Sequence, residues 1–175
     1  EALAGKGHVE VEDIDALPLV DTRRLVTTGG HFAYLKIAEG CDKHCTYCII
    51  PKIRGDFRSV PMERLVKEAG ELAEQGVKEL ILVAQETTLY GKDLYGEKSL
   101  HRLLRELCRI SGIRWIRLLY CYPEEIDENL IQIMKEEKKI CHYLDLPIQH
   151  ANDDILKRMG RRTSKNQLEE IIGRL

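Results

Sequence analysis

Hydrophobic and polar positions follow two regular periods along this chain. Nearly continuous apolar runs at residues 32–38, 79–84, 115–120 and 140–146 are typical of strands buried in a parallel sheet. Apolar residues at helical spacing follow these runs, over residues 61–75, 99–112, 127–137 and, in two short pieces, 153–159 and 165–175. Four strand–helix units predict an α/β fold around a parallel sheet. The periods alone fit a doubly wound sheet and a barrel segment equally well.

Unusual polar groups follow the ends of the predicted strands. In parallel α/β architectures, the carboxyl ends of the strands form the edge where ligands bind. The groups are Cys41 after the first strand, Gln85 and Glu86 after the second, Cys121 and Tyr122 after the third, and Gln149 and His150 after the fourth. We therefore expect the four strand ends to meet at one edge of the sheet and to form a single site there, which we call the mouth.

Composition narrows the class of protein. The chain has 175 residues, of which 43% are hydrophobic and 32% charged, and its formal net charge is −2. This is ordinary globular composition, and we find no apolar run of the length that a membrane span needs. The near-neutral charge argues against general nucleic-acid binding. We expect a cytoplasmic protein.

The chain divides into a lead-in and a core. Residues 1–31 carry mixed charges and short apolar patches, so we expect a linker from a preceding domain, whereas residues 32–175 form the core domain. The sequence begins without methionine and stops at Leu175 inside a helix-period run without a capping residue. We therefore expect it to be a piece of a longer protein, with the core domain incomplete at its carboxyl end.

Three of the six cysteines, Cys41, Cys45 and Cys48, lie within eight residues. Such clustering favours a metal site over a disulfide framework. A tetrahedral zinc site would need a fourth ligand, which Cys121 could supply. A 4Fe–4S cluster held by three thiolates would leave one iron free to bind a substrate or cofactor. The spacing favours the cluster, with zinc as the alternative.

The cysteine motif and several segments after it resemble those of a known enzyme family. Residues 41–48 match the C-x-x-x-C-x-aromatic-C signature of radical S-adenosylmethionine enzymes, and residues 49–59 look like the methylthiotransferase branch. Residues 84–91 and 143–150 are similar to members that methylthiolate an aspartate of small-subunit ribosomal protein twelve. The tRNA-modifying relatives tend to carry Asn-Val-Asn at residues 86–88 and Ser-Gly-Ser at residues 150–152, and this chain carries neither.

The resemblance implies a partial (β/α) barrel of six strands, four of them in this chain. It implies a 4Fe–4S cluster that chelates S-adenosylmethionine and cleaves it to a deoxyadenosyl radical, which abstracts hydrogen from the aspartate β-carbon. It also implies an N-terminal domain with a second 4Fe–4S cluster and a C-terminal TRAM domain. The expected partners are the ribosomal protein substrate and an electron donor such as flavodoxin or ferredoxin.

The resemblance also suggests roles for individual residues. Cys41, Cys45 and Cys48 are the expected cluster ligands. Tyr47 is expected near the adenine, with core packing as the alternative. The residues expected to contact the cofactor from the other strand ends are Gln85, Glu86, Gln149 and His150, with a capping role for Glu86 and a structural role for His150 as alternatives.

The remaining candidates are charged. Within the basic stretch Lys157, Arg158, Arg161 and Arg162, we expect Arg161 to hold the cofactor carboxylate and the others to lie on a solvated helix face. Arg54 and Arg58 are candidates for binding the substrate aspartate or for solvating the loop that carries the cysteines. Asp145 is expected within a strand, facing cofactor or substrate or pairing with a cation.

The sequence predicts the catalytic core of a radical S-adenosylmethionine methylthiotransferase that acts on a ribosomal-protein aspartate. The nearest alternative is a tRNA methylthiotransferase of the same superfamily. An alternative of another class is a zinc-stabilised α/β binding module, with Cys121 completing the metal site.

Overall fold

A computed structural model describes residues 5, 13–15, 24, 26–27 and 29–175 of the chain. Most of the predicted lead-in over residues 1–31 therefore lies outside the described residues. Along the rest of the chain the elements are β1 (Phe32–Lys36), β2 (Ala38–Glu39), α1 (Ile50–Arg54), β3 (Arg58–Ser59), α2 (Met62–Glu74), β4 (Glu79–Val83), α3 (Lys92–Tyr95), α4 (Leu100–Cys108), β5 (Trp115–Leu118), α5 (Glu128–Glu136), β6 (Ile140–Leu144), α6 (Asp153–Arg158) and α7 (Lys165–Arg174).

The main sheet has four strands in the order β1-β4-β5-β6, and every neighbouring pair is parallel. The register aligns one leucine from each strand in a row across the sheet: Leu35, Leu82, Leu118 and Leu144. Successive strands are adjacent, and helices connect them, as parallel pairing requires. The predicted α/β fold with four strand–helix units is confirmed.

The core lies between one face of the sheet and the helices α2, α4 and α5. Alternate strand residues such as Leu80 and Leu82 are fully buried on this face, because side chains in a strand point to opposite sides. The helices contribute the apolar stripes that the sequence predicts, including Leu65, Leu72, Leu103, Leu104, Leu107 and Ile133. The other face of the sheet is more exposed and carries Tyr34, Trp115 and Tyr143.

Two short strands that the sequence analysis does not predict lie between β1 and α2. Strands β2 and β3 pair antiparallel, with Ala38 opposite Ser59 and Glu39 opposite Arg58. Asp93 of α3 fixes this pair, because its carboxylate accepts hydrogen bonds from the Ser59 backbone NH (2.8 Å) and hydroxyl (2.6 Å). Two-residue strands have too few residues to show an alternating pattern, so periodicity does not reveal them.

Two predicted strand ends differ from the structure. β5 ends at Leu118, because Tyr120 adopts a positive φ of 57°. β6 ends at Leu144, and residues 145–150 form a loop. The prediction that Asp145 lies within a strand is therefore wrong. None of the helices that the structure describes has the length and hydropathy of a membrane span.

Candidate functional site

The segment that carries the clustered cysteines begins after β2 and ends at α1. Its two ends are joined, since the Cys41 NH donates to the Gly55 carbonyl at 3.2 Å and the Phe57 NH donates to Asp42 Oδ1 at 2.8 Å. Gly40 has a φ of 76°, and a β-carbon placed on it would lie 2.0 Å from the Asp56 carbonyl oxygen. Only glycine fits this close approach of two backbones.

The tip of this segment packs against the end of α6. The Thr46 NH donates to the Met159 carbonyl at 3.1 Å, and the Thr46 hydroxyl donates to the Arg158 carbonyl at 3.0 Å. His44 adopts a positive φ of 49°, which turns the chain between the first two cysteines. The segment is therefore fixed both at its base and at its tip. We call residues 41–48 the cysteine loop.

The three cysteines of the loop are free thiols in different environments. Cys41 and Cys45 are buried, whereas Cys48 is exposed. Burial raises the pKa of the Cys41 thiol, and the Lys43 backbone NH partly offsets this effect. A cationic metal centre that binds such a buried thiol converts it to a thiolate, because the positive charge stabilises the anion.

Three cysteines on one short loop can supply three thiolates to a metal centre. A 4Fe–4S cluster bound by three thiolates keeps one iron open for another ligand, whereas a tetrahedral zinc site needs a fourth ligand. The part of the chain that the structure describes shows no group of three His, Cys, Asp or Glu side chains placed for a single ion.

Cys121, the fourth zinc ligand in the alternative interpretation, is a core residue. It is fully buried, and its Sγ lies 3.3 Å from the Thr87 hydroxyl. Burial raises the pKa of the Cys121 thiol to about 12. The structure places it with the apolar core and gives the zinc interpretation no support.

Tyr122 connects the cysteine loop to the rest of the mouth, a role that the sequence analysis did not assign. Its hydroxyl lies 3.7 Å from Cys45 Sγ. The Arg161 guanidinium stacks 4.2 Å from the centre of its ring, and Lys43 Nζ lies 5.0 Å from that centre. The sequence contains one signal for this role, because Tyr122 follows directly after the third predicted strand.

Arg161 is the buried cation of the site, with a side chain only 1% exposed. One terminal nitrogen donates to the Pro147 carbonyl at 3.2 Å and to Glu124 Oε2 at 3.4 Å. Its Nε and Nη1 atoms are buried and have no hydrogen-bond partner among the described residues. Buried donors without acceptors are costly, so this guanidinium is suited to receive an anionic ligand group.

Glu86 and Gln85 carry unpaired acceptor oxygens, whereas the unpaired atoms of Arg161 are donors. Glu86 is fully buried, and its Oε1 accepts hydrogen bonds from the NH (2.9 Å) and the hydroxyl of Thr88. Its Oε2 and the Oε1 of Gln85 are buried without a partner among the described residues. Burial raises the pKa of the Glu86 carboxyl to about 7, although the Thr88 hydrogen bonds and the Lys43 charge oppose this shift.

Contacts through Thr88 and Tyr122 connect Glu86 to Arg161. The Thr88 hydroxyl that donates to Glu86 also accepts a hydrogen bond from the Tyr122 NH at 3.2 Å, and the Tyr122 ring contacts Arg161. The site thus offers unpaired donors for a carboxylate and unpaired acceptors for an ammonium group. S-adenosylmethionine carries both groups at its methionyl end, so the residues present fit that cofactor.

The other predicted cofactor residues lie at the same edge of the sheet. Tyr47 is 53% exposed, and its pKa is raised by desolvation and by the adjacent Cys45 thiol, with Arg161 opposing. Gln149 and His150 are exposed in the loop after β6, where Gln149 has a φ of 68°. His150 Nδ1 accepts a hydrogen bond from the Asn152 NH at 2.9 Å, which positions the start of α6.

Of the three residues predicted to contact substrate, Arg58 and Asp145 make internal contacts and Arg54 is exposed. Arg58 donates to Asp15 Oδ1 at 2.7 Å and to the backbone carbonyls of Ile14, Arg54 and Asp56. Asp145 accepts a hydrogen bond from the Tyr120 NH at 3.1 Å, and its carbonyl accepts one from the Cys121 NH at 2.9 Å. Arg54 is exposed, with Nη1 3.9 Å from Glu39 Oε1.

Two known proteins with similar sequences are described as ribosomal protein uS12 methylthiotransferases. The ribosomal protein uS12 methylthiotransferase RimO of Lachnoclostridium phytofermentans is 66% identical over 175 residues, which is 100% of this chain and 40% of that protein. The RimO of Clostridium perfringens is 63% identical over 152 residues, which is 87% of this chain and 34% of that protein. The chain therefore spans well under half the length of these relatives.

A solved structure shares the fold of this chain, and a family profile matches most of its length. The radical S-adenosylmethionine methyltransferase TsrM from Kitasatospora setae superposes with a TM-score of 0.65 at 19% identity, covering 83% of this chain and 28% of that one. This likeness shows the fold, a partial α/β barrel. Residues 35–175 match the profile of the radical SAM superfamily. Because that match covers most of the chain, including the cysteine loop and the buried polar site behind it, the chain belongs to the radical SAM superfamily.

Proposed function

We propose that this chain is the catalytic core of a methylthiotransferase that modifies an aspartate of ribosomal protein uS12. The observation that carries this proposal is the 66% identity over the whole chain to a protein described as a uS12 methylthiotransferase. The matched enzymes are more than twice as long as this chain. The complete reaction therefore belongs to the full-length protein, and this chain supplies its radical-forming site.

The geometry supports a proposed role for several of the chain's own residues. When bound, the 4Fe–4S cluster and S-adenosylmethionine supply the one-electron cleavage that starts hydrogen abstraction from the aspartate β-carbon. Cys41, Cys45 and Cys48 hold the cluster. The unpaired nitrogens of Arg161 bind the cofactor carboxylate, and the unpaired oxygens of Glu86 and Gln85 bind its amino group.

Other residues of the mouth position these groups. Tyr122 places its ring 4.2 Å from the Arg161 guanidinium, and this cation–π contact helps to position the unpaired nitrogens. Tyr47, Gln149 and His150 contribute to the cofactor pocket from its solvent side. Arg54 is the candidate for substrate contact that keeps an exposed side chain, whereas Arg58 and Asp145 support the site through the internal bonds described above.

The proposal extends to parts of the protein outside this chain. We propose that an N-terminal domain outside this chain would hold a second 4Fe–4S cluster as the source of sulfur, and that the partner of the enzyme would be an electron donor such as flavodoxin or ferredoxin. The substrate is a ribosomal protein, so we propose that the enzyme works in the cytoplasm.

The cluster ligands can be tested by iron analysis of the full-length protein. After anaerobic reconstitution, Cys48→Ala is expected to lower the iron content by about four atoms per chain, because a two-thiolate loop does not retain a cubane. Cys141→Ala is the matched control, because Cys141 is a partly exposed thiol at the start of β6. Equal iron loss in both variants would contradict the assignment.

The substrate can be tested by mass analysis. The reconstituted full-length protein, given S-adenosylmethionine and dithionite, is expected to add one methylthio group to an aspartate of uS12 and none to tRNA. A methylthio group on tRNA instead would establish the alternative function. Cleavage of S-adenosylmethionine without modification of either molecule would contradict both.

A further inference from the structure

The hydroxyl group of Tyr122 contacts a sulfur of the cysteine loop. It lies 3.7 Å from Cys45 Sγ, which is within the distance of a hydrogen bond to sulfur. The Tyr47 phenol and the Arg161 guanidinium also interact electrostatically with this thiol. In the described part of the chain, however, Tyr122 provides the one side-chain hydrogen bond to a sulfur of the loop. Because Cys45 is buried, water has little access to take the place of this hydroxyl.

Tyr122 is held in this position from several sides. Its backbone NH donates to the Thr88 hydroxyl at 3.2 Å. Two cations contact its ring, since the Arg161 guanidinium lies 4.2 Å and Lys43 Nζ lies 5.0 Å from the ring centre. Lys43 is itself held by an ion pair with Glu125. With the backbone and the ring fixed, only the hydroxyl hydrogen has to be oriented, so the hydrogen bond to Cys45 forms at little cost in entropy.

The direction of this hydrogen bond follows from the chemistry of a metal-bound cysteine. When Cys45 is a thiol, either atom of the contact can be the donor. A cysteine that ligates a metal is a thiolate and carries no proton. The Tyr122 hydroxyl must then donate, and Cys45 Sγ must accept. A hydrogen bond to an ionised acceptor is stronger than one to a neutral acceptor, so this contact gains strength when the loop holds its metal centre.

We propose that the Tyr122 hydroxyl raises the reduction potential of a 4Fe–4S cluster bound by the cysteine loop. The inference rests on the proposed function, which assigns this cluster to Cys41, Cys45 and Cys48. One-electron reduction adds a negative charge that is shared with the sulfur ligands, so a donor at Cys45 stabilises the reduced form more than the oxidised form. Hydrogen bonds to the sulfurs are among the features that set cluster potentials. The reductant loses one electron and the cluster gains it, and no bond is made or broken.

The hydroxyl and the ring of Tyr122 have separable roles. The ring contacts Arg161, the proposed partner of the cofactor carboxylate, whereas the hydroxyl is hydrogen bonded to Cys45. Tyr122→Phe removes the hydroxyl and keeps an aromatic face for the cation. The affinity of this variant for S-adenosylmethionine, measured by isothermal titration, is therefore expected to stay within about twofold of the unchanged protein. A shift of potential in this variant then reports on the hydroxyl alone.

The reduction potential is measured on reconstituted full-length protein. The protein is titrated anaerobically with dithionite and redox mediators, and the reduced cluster is followed by electron paramagnetic resonance. The signal of this loop is the one that Cys48→Ala lacks, which separates it from a cluster elsewhere in the protein. Tyr122→Phe is expected to keep its iron and to lower the equilibrium constant for reduction at least about threefold, or about 28 mV at roughly 59 mV per tenfold change.

Tyr90→Phe is the matched control. Tyr90 is fully buried, and its hydroxyl donates to the Val60 carbonyl at 2.8 Å. This variant therefore also loses one buried hydrogen bond, but not one to a sulfur. Its equilibrium constant for reduction is expected to stay within about 1.5-fold of that of the unchanged protein. An equal shift in both variants would overturn the proposal, because it would indicate a general loosening of the fold.

Two further outcomes would also overturn it. An unchanged potential in Tyr122→Phe would show that the hydroxyl does not interact with the reduced cluster. Loss of iron from Tyr122→Phe to the level of Cys48→Ala would assign the hydroxyl to retention of the cluster instead. The unchanged protein tests the proposed function separately: if it binds no cluster, both proposals fail, whereas normal cleavage of S-adenosylmethionine with equal potentials in Tyr122→Phe and the unchanged protein contradicts only the role of the hydroxyl.

Discussion

Arg161 shows how a single buried side chain prepares a ligand site. Its guanidinium is stacked on Tyr122 and bonded through one terminal nitrogen, while two other nitrogens have no acceptor among the described residues. Such a group costs stability in the empty protein and regains its hydrogen bonds when an anion arrives. The planar guanidinium also directs its N–H groups in parallel, so that both oxygens of a carboxylate can accept hydrogen bonds from it.

Replacing Arg161 by lysine is expected to weaken binding of S-adenosylmethionine by about tenfold, which corresponds to about 1.4 kcal/mol. Lysine keeps the charge but loses the planar fork and its stacking on Tyr122. Isothermal titration of the full-length protein measures the effect. Arg162→Lys is the control, because Arg162 is exposed. Unchanged affinity in Arg161→Lys would remove the carboxylate role.

Glu86 makes stability depend on pH. Its pKa is about 7 in the folded chain and near 4.5 in an unfolded one, so the folded state holds a proton that the unfolded state has already released between these values. The stabilisation is fully present below about pH 4.5 and is lost as pH rises through 7.

Glu86→Gln removes this titration. The unchanged protein loses stability between pH 5 and pH 8 because of Glu86, and the variant does not. The stability of the variant minus that of the unchanged protein is therefore expected to increase between these pH values, by an amount on the order of 3 kcal/mol. Urea unfolding at both pH values measures the difference. A stability difference that stays constant between pH 5 and pH 8 would show that the carboxyl is ionised in the folded protein throughout.

At the scale of elements, the regular strands and helices were predictable and the short connections were not. The leucine stripe of α4 appears in the sequence as apolar residues at helical spacing, and β4 appears as a nearly continuous apolar run. The pair β2 and β3 depends instead on Asp93, which lies 34 residues from Ser59. A contact of that kind leaves no local pattern, so the base of the cysteine loop appears only in the structure.

The close approach at Gly40 gives a test at this scale. Gly40→Ala is expected to lower stability by more than about 2 kcal/mol, because alanine is strained at a φ of 76° and its β-carbon would meet the Asp56 carbonyl. Gly70→Ala is the matched control. Gly70 lies inside α2 with nothing within 4 Å of an added β-carbon, so alanine is expected to raise stability by roughly 0.5–1 kcal/mol. Thermal unfolding distinguishes the two signs.

At the scale of the whole molecule, the sequence predicted where the site lies more reliably than what each residue does there. The rule that parallel strands expose their carboxyl ends on one edge located Cys41, Glu86 and Tyr122 together. The roles of Arg58 and Asp145 depend on distant partners such as Asp15 and the Tyr120 NH. Local sequence does not encode those pairings, so the predicted substrate contacts could not be separated from structural ones.

The joined base of the cysteine loop fixes the positions of its two ends before any ligand binds the thiols. Closing a flexible loop costs conformational entropy, and here the Cys41–Gly55 hydrogen bond and the close approach of Gly40 to Asp56 close it through backbone contacts. A cofactor held by the three thiols would therefore not have to order the loop on binding, so more of its binding free energy would remain as affinity.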